Sequence, residues 1–100
     1  MSRDQAFTSV LGSTVTQYLA LKRALGRRYD IEGRILKSLD TFLTAKGSDL
    51  TAGTFAAWCR SEEHLASGVR RNQMRTVRNL CLYRRRTEPA CFVPDASLFP

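Results

Sequence analysis

Apolar residues recur at intervals of three and four along most of the chain, a spacing that predicts α-helices. The pattern separates into four stretches, each bounded by capping or helix-breaking residues. The predicted helices run from Ser13 to Leu25, from Asp30 to Lys46, from Thr51 to Arg60 and from Ser67 to Tyr83. No strand-like alternation of apolar and polar residues lies between them. The sequence therefore predicts an all-α fold.

The ends of the first two helices carry local signals. Thr14 and Gln17 match a capping box, and Gly26 stands where a left-handed residue ends a helix. Asp30 is a candidate N-cap for the second helix, which Gly47 ends. The apolar stripes of the two helices are predicted to be Val15, Tyr18, Leu19 and Leu25, and Ile31, Ile35, Leu36, Leu39, Phe42 and Leu43.

The third and fourth predicted helices are also well bounded. Thr51 is predicted to cap the third helix, and Trp58 is expected to be largely buried beside Phe55 and Cys59. The fourth helix gathers its apolar residues on one side and is expected to end near Arg84. That apolar side comprises Val69, Met74, Val77, Leu80 and Cys81. Residues 87–100 contain three prolines without helical periodicity, which indicates a linker or extended tail.

A chain of 100 residues with 43% hydrophobic residues fits one domain. We expect a flexible N-terminus over residues 1–12, a helical domain over 13–86 and a linker over 87–100. Sixteen basic residues face nine acidic ones, and the net charge is +7. Between Ala66 and Arg86 there are seven arginines and no acid, so the whole excess lies on one segment. This placement favours a polyanionic partner, nucleic acid first and an anionic membrane surface second.

Arg71, Arg75 and Arg78 follow one another at i, i+4 and i+7, which places them on one side of the fourth helix. A solvated helix face normally mixes charges of both signs, whereas a face of arginines repels itself. We therefore expect contact with DNA or RNA, with a merely solvated face as the alternative. A second basic strip, with a solubilising loop as its alternative, comprises Lys22, Arg23, Arg27, Arg28, Arg34 and Lys37.

Nothing in the sequence indicates chemistry of its own. Cys59, Cys81 and Cys91 lack the spacing of a zinc site, and His64 has no neighbouring ligand, so free thiols in a reducing cytoplasm are expected. No phosphate-binding loop or nucleophile motif occurs. We predict no catalytic residue, metal or cofactor in this chain. The longest apolar run, Phe55 to Cys59, is far too short for a membrane span.

The order of these parts resembles the N-terminal core-binding domain of tyrosine recombinases, the phage-integrase family, over about residues 13 to 100. The resemblance is carried by Tyr18-Leu19, Arg28-Tyr29, the run from Ile35 to Leu43, Leu50-Thr51, Trp58, the run from Val77 to Tyr83, and the tail from Glu88 to Pro94. It implies a four-helix, SAM-like bundle with an extended C-terminal linker. It also implies that the domain forms one half of a clamp around double-stranded DNA.

Under this resemblance the second and fourth helices face DNA. The implied DNA-binding residues are Arg28, Arg34, Lys37, Arg70, Arg71, Asn72, Arg75 and Arg78. The family's catalytic residues come from a separate downstream domain, so Tyr18, Tyr29 and Tyr83 are not expected to act as its nucleophile. Other recombinase protomers are implied as partners of the full-length protein. The alternatives are a stand-alone helical DNA-binding regulator and a basic helical interaction module.

Overall fold

The computed structural model describes residues 7–100. Four α-helices are present: α1 is Gly12–Ala24, α2 is Asp30–Lys46, α3 is Ala52–Ser61 and α4 is Ser67–Arg84. A short 3-10 helix, Ala96–Leu98, follows. Residues 7–100 contain no strand, so the all-α prediction is confirmed, and each predicted helix end lies within one residue of the observed one.

The chain divides into an N-terminal unit, Met1–Asp49, and a C-terminal unit, Leu50–Pro100. The N-terminal unit contains α1 and α2, which contact each other. Its buried apolar side chains follow the predicted stripes closely and are Leu11, Val15, Tyr18, Leu19, Ile35, Leu36, Leu39 and Leu43. Leu25 and Ile31 are instead 65% and 59% exposed, contrary to prediction. Leu25 follows the last residue of α1, and Ile31 is the second residue of α2. The apolar pattern in the sequence thus extends to helix ends whose side chains are not buried.

The predicted capping box at the start of α1 is wrong. The helix begins at Gly12, and its N-cap is Leu11, whose side chain makes no capping hydrogen bond. The segment before α1 is held from α2, where the buried carboxylate of Asp40 accepts hydrogen bonds from the backbone N–H groups of Thr8 at 3.0 Å and Ser9 at 2.9 Å. A pair of hydrogen bonds between residues far apart in sequence thus fixes the segment that leads into α1.

Asp30 does not cap α2 either, because it is already the first helical residue. The N-cap is Tyr29, whose backbone is left-handed with φ of 56°. A tyrosine in this conformation is unfavourable by about 1 kcal/mol. The Tyr29 ring packs edge-on against Tyr18 at 6.0 Å between centroids, and the two hydroxyls are 3.2 Å apart. These contacts hold the α1–α2 turn in its strained conformation.

In the C-terminal unit the predicted cap of α3 is confirmed. The Thr51 hydroxyl accepts from the Thr54 N–H at 3.1 Å, and the Thr54 hydroxyl accepts from the Thr51 N–H at 2.8 Å. Trp58 is 1% exposed, also as predicted. Phe55 and Cys59 are only half-buried.

The apolar side of α4 is observed through most of its length, and its buried residues are Thr76, Val77, Leu80 and Cys81. Val69 is 49% exposed, contrary to prediction, because it lies in the first turn before the buried stretch begins. The helix ends at Arg84, as expected. The Arg84 guanidinium is 9% exposed and meets both carboxylate oxygens of Glu88, at 3.2 and 3.3 Å.

Residues 87–100 are irregular apart from the 3-10 helix, which Asp95 caps by accepting from the Ser97 N–H at 3.0 Å. The prolines account for this irregular backbone, but the sequence did not indicate that the segment packs on its own unit. Phe92 lies 5.8 Å from Phe55 between ring centroids, and Pro94 is fully buried. The 3-10 helix contacts α4.

Candidate nucleic-acid interface

The arginine face of α4, defined as Arg71, Arg75 and Arg78, lies on one side of the helix as its spacing requires. Arg71 and Arg75 are exposed and Arg78 is half-buried. No aspartate or glutamate occurs anywhere in Ser67–Arg84. Within residues 7–100, Arg75 donates no hydrogen bond from its side chain and forms no ion pair. The middle of the face is therefore an exposed and uncompensated positive charge.

Arg85 extends the arginine face by a further turn. It lies seven residues after Arg78, its backbone is still right-handed helical, and its N–H donates to the Cys81 carbonyl at 2.9 Å. Its side chain is exposed and makes no ion pair within the described part of the chain. The i+7 spacing was present in the sequence, but projection of the helix stopped at the expected end near Arg84.

The two flanking arginines of the face donate to the C-terminal segment. Arg78 Nη1 donates to the Pro94 carbonyl at 2.5 Å, and Arg71 Nη1 donates to the Pro100 carbonyl at 3.4 Å. Asp95 follows Pro94 and is fully exposed. Its carboxyl pKa is lowered by hydrogen bonds from Ser97, first the backbone N–H and then the hydroxyl, and the positive charge of Arg78 lowers it further.

The two remaining candidates on α4 lie near its start. Arg70 is half-buried and donates from Nε to the Leu65 carbonyl at 3.2 Å, so it holds the α3–α4 connection. Asn72 is half-buried, and its backbone carbonyl accepts from the Thr76 hydroxyl at 2.9 Å. Neither belongs to the arginine face.

The candidates of the N-terminal unit differ among themselves. Arg34 is exposed and forms no ion pair with any residue from 7 to 100. The Lys37 ammonium lies 4.0 Å from the Asp40 carboxylate and 5.5 Å from the ring centroid of Phe7. Arg28 is almost fully exposed and lies 3.6 Å from Asp30. Arg34 alone of the three is without a carboxylate partner among these residues.

The rest of the second basic strip surrounds the Tyr18–Tyr29 pair. The Lys22 ammonium lies 5.4 Å from the ring centroid of Tyr18, and Arg23 Nε donates to the Arg28 carbonyl at 3.4 Å. Burial raises the pKa of the Tyr18 hydroxyl, and its hydrogen bond with Tyr29 raises it further. Tyr18 is therefore neutral in any ordinary buffer, and these cations support the turn.

The cysteines and acidic residues between positions 7 and 100 form no metal centre. No three histidine, cysteine, aspartate or glutamate side chains in this range lie where they could hold a metal ion. Cys59, Cys81 and Cys91 form no disulfide in the described part of the chain, and burial raises the pKa of the Cys59 thiol. No α-helix in the same range has the length and apolar character needed to cross a membrane.

Comparison of the chain with protein-family models, with curated proteins and with solved structures found no match. The functional interpretation therefore depends on the residues themselves.

Proposed function

We propose that this chain is a DNA-binding domain that grips duplex DNA through α4, as the core-binding domain of a site-specific tyrosine recombinase. The observation that carries the proposal is the arginine face, continued by Arg85, on a helix without a single carboxylate. Phosphate neutralisation by such cations releases counterions and supplies most nonspecific affinity for DNA. The face has the sign and the density of charge that this mode of binding uses.

The length of the face fits a duplex. A helix rises about 1.5 Å per residue, so Arg71 and Arg85 are separated by about 21 Å along α4. The major groove of B-DNA is about 12 Å wide. A helix lying in or across this groove would bring the two ends of the face near phosphates on both of its sides. Contacts of this kind position a protein on DNA without reading its sequence.

Residues outside the arginine face are proposed as secondary contacts. Arg34 is the strongest of them, because it is exposed and has no carboxylate partner in residues 7–100. Arg28 and Lys37 would have to share their charges with Asp30 and Asp40, so smaller contributions are expected. The remaining proposed contacts at the start of α4 are Arg70 and Asn72.

The recombinase part of the proposal is supported by the family resemblance of the sequence. In that setting the chain itself holds no catalytic group, and a downstream domain breaks and rejoins the DNA in the cytoplasm together with other protomers. A reading frame that continues beyond Pro100 into an Arg, His-x-x-Arg and Tyr array would support this part. A stop codon directly after Pro100 would contradict it and leave a stand-alone DNA-binding protein.

DNA binding is tested by replacing Arg71, Arg75 and Arg78 together with alanine. Affinity for duplex DNA should fall across unrelated sequences. The slope of log K against log salt should become shallower by about 0.9 for each phosphate that is no longer neutralised, and thus by up to about 2.7. Fluorescence anisotropy with a labelled duplex at several salt concentrations measures both quantities.

A matched control removes the same charge elsewhere. Replacing Arg3, Lys46 and Arg60 with alanine also lowers the net charge by three but leaves the arginine face intact. This variant should bind with nearly the parent's slope. If both triple variants behave alike, general positive charge explains binding and α4 is not the interface. If the parent binds anionic vesicles but not duplex DNA, the face is a membrane-contact surface.

A further inference from the structure

Two carbonyl groups of the C-terminal segment hold arginines of the arginine face. The Pro94 carbonyl accepts from Arg78, and the Pro100 carbonyl accepts from Arg71. Arg75, between them, receives no acceptor from residues 7–100. The segment therefore touches the face at two of its three positions and leaves the middle one accessible.

The segment is held in place by more than these two hydrogen bonds. Phe92 packs on Phe55 at 5.8 Å between ring centroids, and Pro94 is fully buried. The Cys91 thiol donates to the Cys81 carbonyl at 3.7 Å. Leu98, by contrast, is 80% exposed and adds little to the packing. Residues 91–94 anchor the segment, and the Pro94 carbonyl that accepts from Arg78 belongs to that anchor.

From these contacts we infer that residues 91–100 act as an internal competitor of DNA for the arginine face, an inference that depends on the proposed function. The Nη1 groups that donate to the segment are the groups that would donate to phosphate oxygens. The Pro94 carbonyl oxygen is a neutral acceptor, whereas a phosphate oxygen is charged and forms the stronger hydrogen bond with a guanidinium. Duplex DNA therefore displaces the segment, and the segment lowers the apparent affinity by the fraction of time it occupies the face.

The order of events follows from which of the four arginines already donate to the segment. Arg75 and Arg85 are exposed without a described ion-pair partner, so they make the first phosphate contacts. Arg78 and Arg71 exchange their carbonyl acceptors for phosphates afterwards. The protein thus binds DNA in two stages, and the second stage releases the C-terminal segment.

The first experiment loosens the anchor without touching an arginine. Phe92→Ala removes the ring that packs on Phe55 and should tighten duplex binding by up to about tenfold, the change expected when one such hydrogen bond no longer competes. Leu98→Ala is the matched control within the same segment and should bind as the parent does, because Leu98 is largely exposed. Equal affinity of Phe92→Ala and parent, with circular dichroism unchanged, would overturn the competition.

A thiol reporter tests displacement directly, in a protein with an intact anchor. In a Cys59→Ala background Cys91 is half-buried and Cys81 is buried, so a neutral alkylating reagent reports on Cys91. Saturating duplex DNA should raise the alkylation rate of Cys91 severalfold. Without DNA, Arg78→Ala should raise that rate and Arg75→Ala should not, because Arg78 donates to the Pro94 carbonyl and Arg75 donates to no residue of the segment. A rate that DNA leaves unchanged or lowers would overturn the inference.

The two levels of the proposal fail in different ways. If neither the parent nor Phe92→Ala binds duplex DNA, the proposed function is wrong and the competition falls with it. If the parent binds duplex DNA, but Phe92→Ala binds no more tightly and DNA leaves the alkylation rate of Cys91 unchanged, only the competition is wrong. Binding by Phe92→Ala alone would support both.

Discussion

Helices α2 and α4 differ in how their positive charges are compensated. On α2, Lys37 lies 4.0 Å from the carboxylate of Asp40, and Arg34 stands four residues after Asp30. On α4 there is no carboxylate, and the acceptor for Arg78 is the backbone carbonyl of Pro94. Helix α2 thus has three acidic and three basic residues, whereas α4 has five arginines and no acidic residue.

This difference matters because hydrogen bonding and charge are separate requirements. A carbonyl satisfies an N–H donor, but it carries no net charge and leaves the guanidinium's positive field largely intact. Summed over several arginines on one side of a helix, such a field attracts polyanions from solution. The comparison therefore favours α4 over α2 as the main contact in the proposed binding of nucleic acid.

The largest effect should come from removing the carboxylate on which the N-terminal unit depends. Asp40→Ala leaves the N–H groups of Thr8 and Ser9 without their acceptor and removes the carboxylate beside Lys37. Loss of buried hydrogen bonds to a charged acceptor should lower the free energy of unfolding by about 3 kcal/mol. Urea denaturation followed by circular dichroism measures the change.

Asp30→Ala is the control on the same helix. Its carboxylate is exposed and 3.6 Å from Arg28, so the cost should stay below about 1 kcal/mol. Equal destabilisation by both variants would mean that the buried contacts of Asp40 contribute no more than a surface ion pair. The carboxylates of α2 would then give that helix no stabilisation beyond that of surface ion pairs.

A smaller effect is expected where the C-terminal unit does pair an arginine with a carboxylate. Arg84 ends α4 with its guanidinium 9% exposed, and Glu88 is 51% exposed. Glu88→Ala should lower the free energy of unfolding by about 1 kcal/mol, a value reduced by the solvent around Glu88. Thermal unfolding of this variant beside Glu63→Ala, an exposed glutamate without a described ion pair, measures the difference. Equal melting temperatures for the two variants would show that this pair is not stabilising.

The helices and the arginine face could be predicted from the sequence because both depend on local spacing. Helical periodicity fixed the four elements, and the i, i+4, i+7 spacing placed Arg71, Arg75 and Arg78 on one side of α4. Gly26 and Gly47 ended their helices with positive φ, as expected of residues without a Cβ. Patterns of this kind extend over a few residues and need no knowledge of distant contacts.

The structural features that the sequence did not predict depend on contacts between residues that are distant in sequence. The acceptor for Thr8 and Ser9 is Asp40, which no capping motif near α1 could reveal. The left-handed Tyr29 is held by the ring of Tyr18, eleven residues away. Prolines correctly indicated an irregular C-terminal segment, but prolines do not tell whether such a segment is free or packed.

The smallest predicted effect has the most informative sign. Arg75 has like charges at i−4 and i+3, Arg71 and Arg78, and like-charge pairs at these spacings destabilise a helix by a few tenths of a kcal/mol each. Arg75→Ala should therefore raise the free energy of unfolding by about 0.5 kcal/mol while weakening DNA binding.

Arg34→Ala on α2 should change stability by less than about 0.3 kcal/mol, because attraction to Asp30 offsets repulsion from Lys37. Salt at about 1 M shortens the screening length to about 3 Å, so the gain from Arg75→Ala should vanish there. Two results would contradict this expectation: a destabilised Arg75→Ala variant, or a gain in stability that persists in high salt. Either would mean that repulsion among the arginines of α4 is compensated within the fold. The charge difference between α2 and α4 would then no longer support α4 as the proposed DNA contact.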